Sequence, residues 1–470
     1  MSDTIPQHIL IIGAGEFGLA TALSFLSKPT YNSSSITILD GSATLPNPSG
    51  SSVDANRIVR ADYAYKHYAR LALEAQELWR DQSPEGWGGE GRYHEPGFVL
   101  TADADKDEYL KSSLESVRSL VQEDNKSWLD PDKVYKLNSR DEIGKASGYQ
   151  DVSGDHGYAN FNSGWANAEK CVAYALKRII KEGGDRVTIR SGTKVERLLF
   201  SGNKCSGAEL RDGEQMKADL TILAAGAWSP SLVDLEGRCL ATGQTLAFID
   251  ITDEEQASMR DRPTVMNMSN GMFIIPPRDN LLKIARHGYG YRNLVQIPKR
   301  NLQPGLANGE IKPKRYEYVD VSVPRVGVEI PQEAQEALRD ALRELVPHMA
   351  DRPFVRTRIC WYCDTPSGDF LITYHPQYKS LFLATGGSGH GFKFFPVIGD
   401  RIVDAIENKL DAKLAHEWRW RCDAELQKLY QPEGFTACED GSRAGRKGML
   451  LDDEMAREES KSAGGMHLQS

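Results

Sequence analysis

Cys360 and Cys363 stand in the run Arg358-Ile-Cys-Trp-Tyr-Cys-Asp364, and Gly387-Ser-Gly-His-Gly-Phe-Lys393 follows shortly after. A cysteine acts as a nucleophile through its thiolate. Glycines such as Gly389 and Gly391 let backbone approach a flat ring closely, with Phe392 beside them and Lys393 able to reach a carboxylate. Such a set could tether a flavin ring and anchor a substrate next to it. The N-terminus carries the complementary half. Residues 8–12 are apolar and run into Gly13-Ala-Gly15-Glu-Phe-Gly18, the Gly-rich turn from strand to helix that cradles a pyrophosphate. Asp40 closes the next apolar run, 22 residues after Gly18 (40 − 18), close to the spacing of an acid that binds ribose hydroxyls. Two ends of one chain meeting at one cofactor argue for a flavoenzyme.

Three further groups have the right chemistry. The segment from Ser51 to Tyr63 places Arg57 and Arg60 three apart, on one face if the turn is helical, and arginine suits bidentate carboxylate recognition. Alone it would read as a solvated basic turn; its place after the cofactor unit favours the functional reading. Lys283 lies in an alternating segment. Buried against a flavin, it would supply a fixed positive charge where oxygen takes up an electron and would stabilise superoxide as it forms. A lone strand lysine is more often exposed, and His287, four residues on, is by itself more often structural. Each cysteine has the competing reading of a small core residue. The CxxC also suits zinc or redox exchange, but no second CxxC or paired histidine accompanies it, so no metal site is expected.

These residues need elements to position them. Residues 8–13, 16–27 and 35–40 read as a βαβ unit, 64–81 and 167–181 as helices, and 95–101, 186–190 and 193–200 as strands. Val195 lies on the last of these, at an edge that could meet an adenine. Residues 218–228 form a buried strand ending in small residues around Gly226 and Trp228, where backbone can come close to a dinucleotide. Between 234 and 357 the character changes to extended segments (245–251, 271–276, 280–285) and a long helix at 331–345. The chain then returns with a strand at 381–386 and a helix at 399–408. Residues 432–470 read as a polar surface tail.

Forty per cent apolar and 26 per cent charged residues are ordinary for a soluble chain of 470 residues. A net charge of −9 argues against a nucleic-acid partner, and no apolar run approaches the roughly 20 residues of a membrane helix. The N-terminal run has no basic flank and reads as a strand, not a signal peptide. Seven cysteines without a framework suggest a reducing compartment. The chain ends His-Leu-Gln-Ser and lacks a peroxisomal tripeptide of Ser-Lys-Leu type, which favours the cytoplasm over the peroxisome.

In order along the chain, Gly13-Ala-Gly-Glu-Phe-Gly18, Asn56-Arg-Ile-Val-Arg60, Leu282-Lys-Ile-Ala-Arg-His287, Arg358-Ile-Cys-Trp-Tyr and Gly387-Ser-Gly-His-Gly-Phe-Lys393 resemble the monomeric sarcosine oxidase family of amine oxidases. The resemblance is to its fungal-type branch, which includes saccharopine or pipecolate oxidases and fructosyl amino acid oxidases. It implies an α/β chain with a discontinuous, Rossmann-like FAD-binding domain (1–94, 155–233 and 358–431) and a mixed-sheet, α+β substrate domain (95–154 and 234–357). It further implies FAD linked by a thioether to Cys360, with Cys363 the weaker candidate. Lys283 falls on the oxygen-activating lysine, His287 on a histidine near it and Arg57 on an arginine at the flavin face. Arg60 and Lys393 fall on the pair that binds the substrate carboxylate, while Asp40, Val195 and Gly226 would hold the adenosine half. The implied reaction oxidises the C–N bond of a secondary L-amino acid to an imine, by hydride transfer or an amine–flavin adduct, and O2 is reduced to H2O2. A monomer acting on a small-molecule amine is expected. Other readings are a biosynthetic oxidase of an N-methyl amino acid, a fructosyl amino acid oxidase, an FAD dehydrogenase using an electron carrier, and a cofactor-binding protein without activity.

Overall fold

In the computed structural model, which describes residues 5–103, 107–123, 126, 128–149, 151–302, 318–430 and 438–457, the strand His8–Ile12 is apolar from Ile9 onward and buried on both faces. That pattern belongs to the centre of a parallel sheet. It pairs in parallel with Ser35–Leu39 on one side and Leu220–Leu223 on the other. Val187–Arg190 and Leu381–Thr385 extend the sheet in parallel, and Leu371–Tyr374 closes it as an antiparallel edge. Helices Glu16–Ser27, Ala168–Gly183 and Phe395–Ile406 cover one face and share a core with it. The antiparallel strands Val195–Ser201, Lys204–Leu210 and Gln215–Lys217 lie over the other.

A second sheet has eight strands. Its order is Arg356–Asp364, Leu240–Asp250, Leu281–Arg286, Met272–Arg278, Thr264–Asn267, Phe98–Ala102, His156–Asn160 and Val134–Leu137. All neighbours are antiparallel except Thr264–Asn267 beside Phe98–Ala102. The helix Gln332–Leu345 covers it through Ala334, Leu338, Ala341, Leu342 and Leu345, an i, i+4, i+7, i+8, i+11 stripe. This is the α/β architecture with a mixed second sheet that the sequence leads one to expect.

Strand pairing departs from the expected partition at two places. Residues 156–160 and 358–364 were assigned to the cofactor domain, yet both pair within the eight-stranded sheet. Pairing along Leu240–Asp250 carries Cys360 and Cys363 on that sheet.

The tail assignment also requires correction over its described part, 438–457. Ala444 and Leu450 bridge to Gly288 and Arg292, Met449 and Leu451 enter the second core, and Arg443 is ion-paired to Asp364 at 2.7 Å with both side chains buried. Scattered anchors hold this stretch, so no periodic pattern announces it. The rest of the assigned tail, 432–437 and 458–470, lies outside the described residues. Among the described residues no helix is long and apolar enough to cross a membrane.

Candidate active site

The turn after His8–Ile12 is built for close backbone approach. Gly13 has φ +113°, and a Cβ there would lie 2.3 Å from the Ala224 carbonyl oxygen; one on Gly18 would lie 2.0 Å from the Gly13 oxygen. Only glycine lets the helix Glu16–Ser27 start this close to two strands. Asp40, just past Ser35–Leu39, accepts from the Ala14 amide at 3.0 Å, the Ser42 amide at 2.9 Å and Asn47 Nδ2 at 3.0 Å. The Glu16 amide donates to Ser52 Oγ at 3.0 Å, which binds the loop before Arg57 to the same turn.

These groups open onto a cavity of about 440 Å3, within the range of small-molecule sites. Gly13, Gly15, Asp40, Ser51, Arg57, Arg60, Val195, Gly226, Trp228, Lys283, His287, Gly389, Gly391, Phe392 and Lys393 all line it. Two expected residues do not: Gly18 is packed against the Gly13 backbone, and Cys360 lies behind Arg57 in a small apolar cluster with Leu246, Phe248 and Ala285. Cys360 Sγ accepts from Arg57 Nη2 at 3.3 Å. Cys363 does line the cavity, and its thiol meets Thr385 Oγ1 at 3.3 Å.

The cavity wall is cationic. Arg60 is buried, its Nη1 has no hydrogen-bond partner among the described residues, and its guanidinium lies 5.3 Å from the Tyr63 and Phe98 ring centres. Lys393 Nζ donates to Tyr63 Oη at 2.9 Å and to the His390 carbonyl at 3.1 Å. Burial, and then Arg60, push the Lys393 ammonium well below its usual range. An unpaired guanidinium nitrogen beside a lysine that resists charging is a setting for an incoming carboxylate. His390 Nε2 faces the Gly368 carbonyl at 2.8 Å, so Nε2 carries the proton and Nδ1 accepts the Tyr63 hydroxyl at 2.9 Å. His287 is held neutral by burial and by Arg443.

Lys283 is 2% exposed and forms an ion pair with Asp54 at 2.7 Å. Burial brings its ammonium down to about 8, Asp54 opposing and Arg57 reinforcing the shift. Arg57 also pairs with Asp54 and donates to the Ser51 carbonyl at 2.8 Å. Reasoning from the sequence missed Asp54, although two arginines and a lysine buried at one wall require a counter-charge. It also missed Tyr63 and His390, which brace Lys393, and Arg443, which comes from the segment taken as a tail and lies 5.3 Å from the ring centre of the wall residue Tyr362. Burial raises Glu16 at the Gly-rich turn above the ordinary carboxylate range.

A family model for FAD dependent oxidoreductases matches residues 8–405, and the chain belongs to that family. Among its relatives, the amino acid oxidase imqH of Aspergillus flavus is 32% identical over 478 residues, 91% of this chain and 98% of that protein. The L-saccharopine oxidase of Schizosaccharomyces pombe is 30% identical over 440 residues, 90% of this chain and 95% of that protein. The structure of the deglycating fructosamine oxidase Amadoriase II from Aspergillus fumigatus, in complex with FSA, is similar with a TM-score of 0.76 at 28% identity over 96% of each chain. The fold and the family together make this chain an FAD-dependent oxidoreductase.

Proposed function

We propose that this enzyme oxidises the C–N bond of a secondary L-amino acid, with O2 as electron acceptor. The observation that carries this reading is the buried Arg60 Nη1, unpartnered among the described residues, beside Lys393, at a wall of the same cavity that Gly13, Gly15 and Asp40 open onto. The glycine cradle and the close approach at Ala224 fit FAD, with Gly13, Gly15, Asp40, Val195 and Gly226 at its adenosine and pyrophosphate half and Gly389, Gly391 and Phe392 at its ring. FAD, when bound, would supply the two-electron redox chemistry by which an amine loses a C–H hydride and an N–H proton and, with O2, becomes imine and H2O2.

The chain's own residues bind and orient the substrate. Arg60 and Lys393 take the carboxylate, and an anion there offsets the burial that disfavours charge on Lys393. That clamp sets the C–H of the neutral amine toward the cofactor. Lys283 places a fixed positive charge where O2 is reduced, and Arg57 stands at the ring face. The tether is assigned to Cys360, whose Sγ accepts from the Arg57 guanidinium at 3.3 Å. The protein acts as a monomer in this reading.

A second reading, oxidation of a fructosyl amino acid, is favoured by the similarity to Amadoriase II. A peroxidase-coupled H2O2 assay over sarcosine, L-pipecolate, L-saccharopine, N-methyl aromatic amino acids and fructosyl-lysine separates the two. Turnover of an N-alkyl or cyclic amino acid is expected. Peroxide from fructosyl-lysine alone would favour the second reading, and turnover with an artificial electron carrier but no peroxide would make the enzyme a dehydrogenase.

A further inference from the structure

The strand Leu281–Arg286 is paired on both sides, Lys283 facing Phe248 in one neighbour and Ile275 in the other. Its backbone is thereby fixed, and the ammonium ends among buried groups where an unpaired charge is strongly disfavoured. Its polar partners come from one short loop. Lys283 Nζ donates to Asp54 Oδ2 at 2.7 Å, to the Asn56 carbonyl at 3.2 Å and to Asn56 Oδ1 at 3.3 Å. The same Asp54 oxygen accepts from Arg57 Nη1. The loop is held in turn by Arg358, which donates to the Gly50 and Val53 carbonyls at 2.7 Å each. Arg57, Asn56 and Lys283 line the cavity, whereas Asp54 does not.

We propose that Asp54 is the positioning residue of this site: one buried carboxylate that orients Lys283 and Arg57 together and keeps the Lys283 ammonium charged at the cavity wall. The titratable and charged groups facing Lys283 are Asp54 and Arg57 from the loop and the strand that follows it, and Cys360 from Arg356–Asp364; the Phe273 ring lies 5.8 Å from Nζ. Burial would raise Asp54, but Lys283, Arg57 and Arg358 outweigh it and hold the carboxyl below its ordinary range. The carboxylate is therefore ionised throughout the neutral range. Against burial and Arg57, it is the largest influence sustaining charge on the lysine. Burial lowers the lysine and Asp54 opposes it, so the pH at which Lys283 loses its charge depends on a residue that does not line the cavity.

The role assigned to Lys283 rests on the proposed function; its coupling to Asp54 does not. Two measurements on the purified full-length protein separate them. The first is reoxidation of the reduced flavin by O2 across pH, in the unaltered enzyme and in Asp54→Asn. The unaltered enzyme should slow above about pH 8, and in Asp54→Asn that slowing should begin at least one pH unit lower while anaerobic reduction by substrate keeps its profile. Superimposable reoxidation profiles would overturn the proposal. The second is urea unfolding of Asp54→Asn, Lys283→Met and the double variant. Asp54→Asn should lower the midpoint clearly less in the Lys283→Met background, where only Arg57 is left without its partner. An equal loss in both backgrounds would overturn the coupling whether or not any amine is oxidised. Should Asp54→Asn fail to fold alone, recovery of a folded protein on adding Lys283→Met would support the coupling, and failure of the double variant would refute it.

Discussion

Arg60 and Lys393 reach the cavity from opposite ends of the sequence and are buried at its wall, with buried Asp62 acting electrostatically on both. Lys393→Ala removes one half of the proposed clamp. Loss of a hydrogen bond to a charged group is worth about 1.5–3 kcal/mol, so the dissociation constant for a carboxylate-bearing amine should rise about 10- to 150-fold. Flavin content should hold, and an unchanged affinity in a binding titration would remove Lys393 from the clamp. The tether is tested by acid precipitation. Cys360→Ala should release flavin into the supernatant and Cys363→Ala should retain it; the reverse pattern would move the bond to the cysteine that lines the cavity. That Arg60, Lys283 and Lys393 share one cavity was legible from residue type and motif. Asp54 was not, since a carboxylate in a polar loop looks solvated until a partner 229 residues away buries it.

Elements with one strong period were read to within a few residues. The helix at 16–27 is found as Glu16–Ser27, and the expected 331–345 as Gln332–Leu345. The pairing of strands 156–160 and 356–364 was not legible, because alternation marks a strand but not its neighbour. A local device beside the eight-stranded sheet shows what short-range signals do settle. Thr252 and Glu255 form a capping box at the start of Asp253–Met259, recognisable as T-x-x-E, and Glu255 also takes a bidentate pair from Arg352 at 2.6 and 2.7 Å. That pair is the leading cause of the fall of Glu255 from 4.5 to about 2. A depressed carboxylate contributes stability that is present above its unfolded value and lost as pH falls through the folded one. Glu255→Gln should therefore lower the unfolding midpoint at pH 7, and the difference should close between about pH 4.5 and pH 2. A difference independent of pH would assign the effect to packing.

At the scale of the molecule, the net charge of −9 and the cationic cavity have opposite signs, so attraction of a carboxylate is local to the site and not a property of the whole surface. The segment 438–457 joins the two halves of that site. Arg443 pairs with Asp364 and donates to the Ser388 and Gly288 carbonyls at 2.8 and 3.1 Å, bracing the Gly-rich loop against the strand that bears Lys283. Arg443→Met would leave Asp364 buried and uncompensated, a loss of about 3–5 kcal/mol that should appear as a large fall in melting temperature; a small fall would mean that this segment contributes little to the fold. FAD and a secondary amino acid should meet in this cavity. The most direct test is an anaerobic absorbance titration of the purified protein with sarcosine, L-pipecolate, L-saccharopine, fructosyl-lysine and N-methyl aromatic amino acids. Bleaching of the flavin band by an N-alkyl or cyclic amino acid, and its return on admitting air, is the predicted result. A yellow protein that none of them bleaches would contradict it.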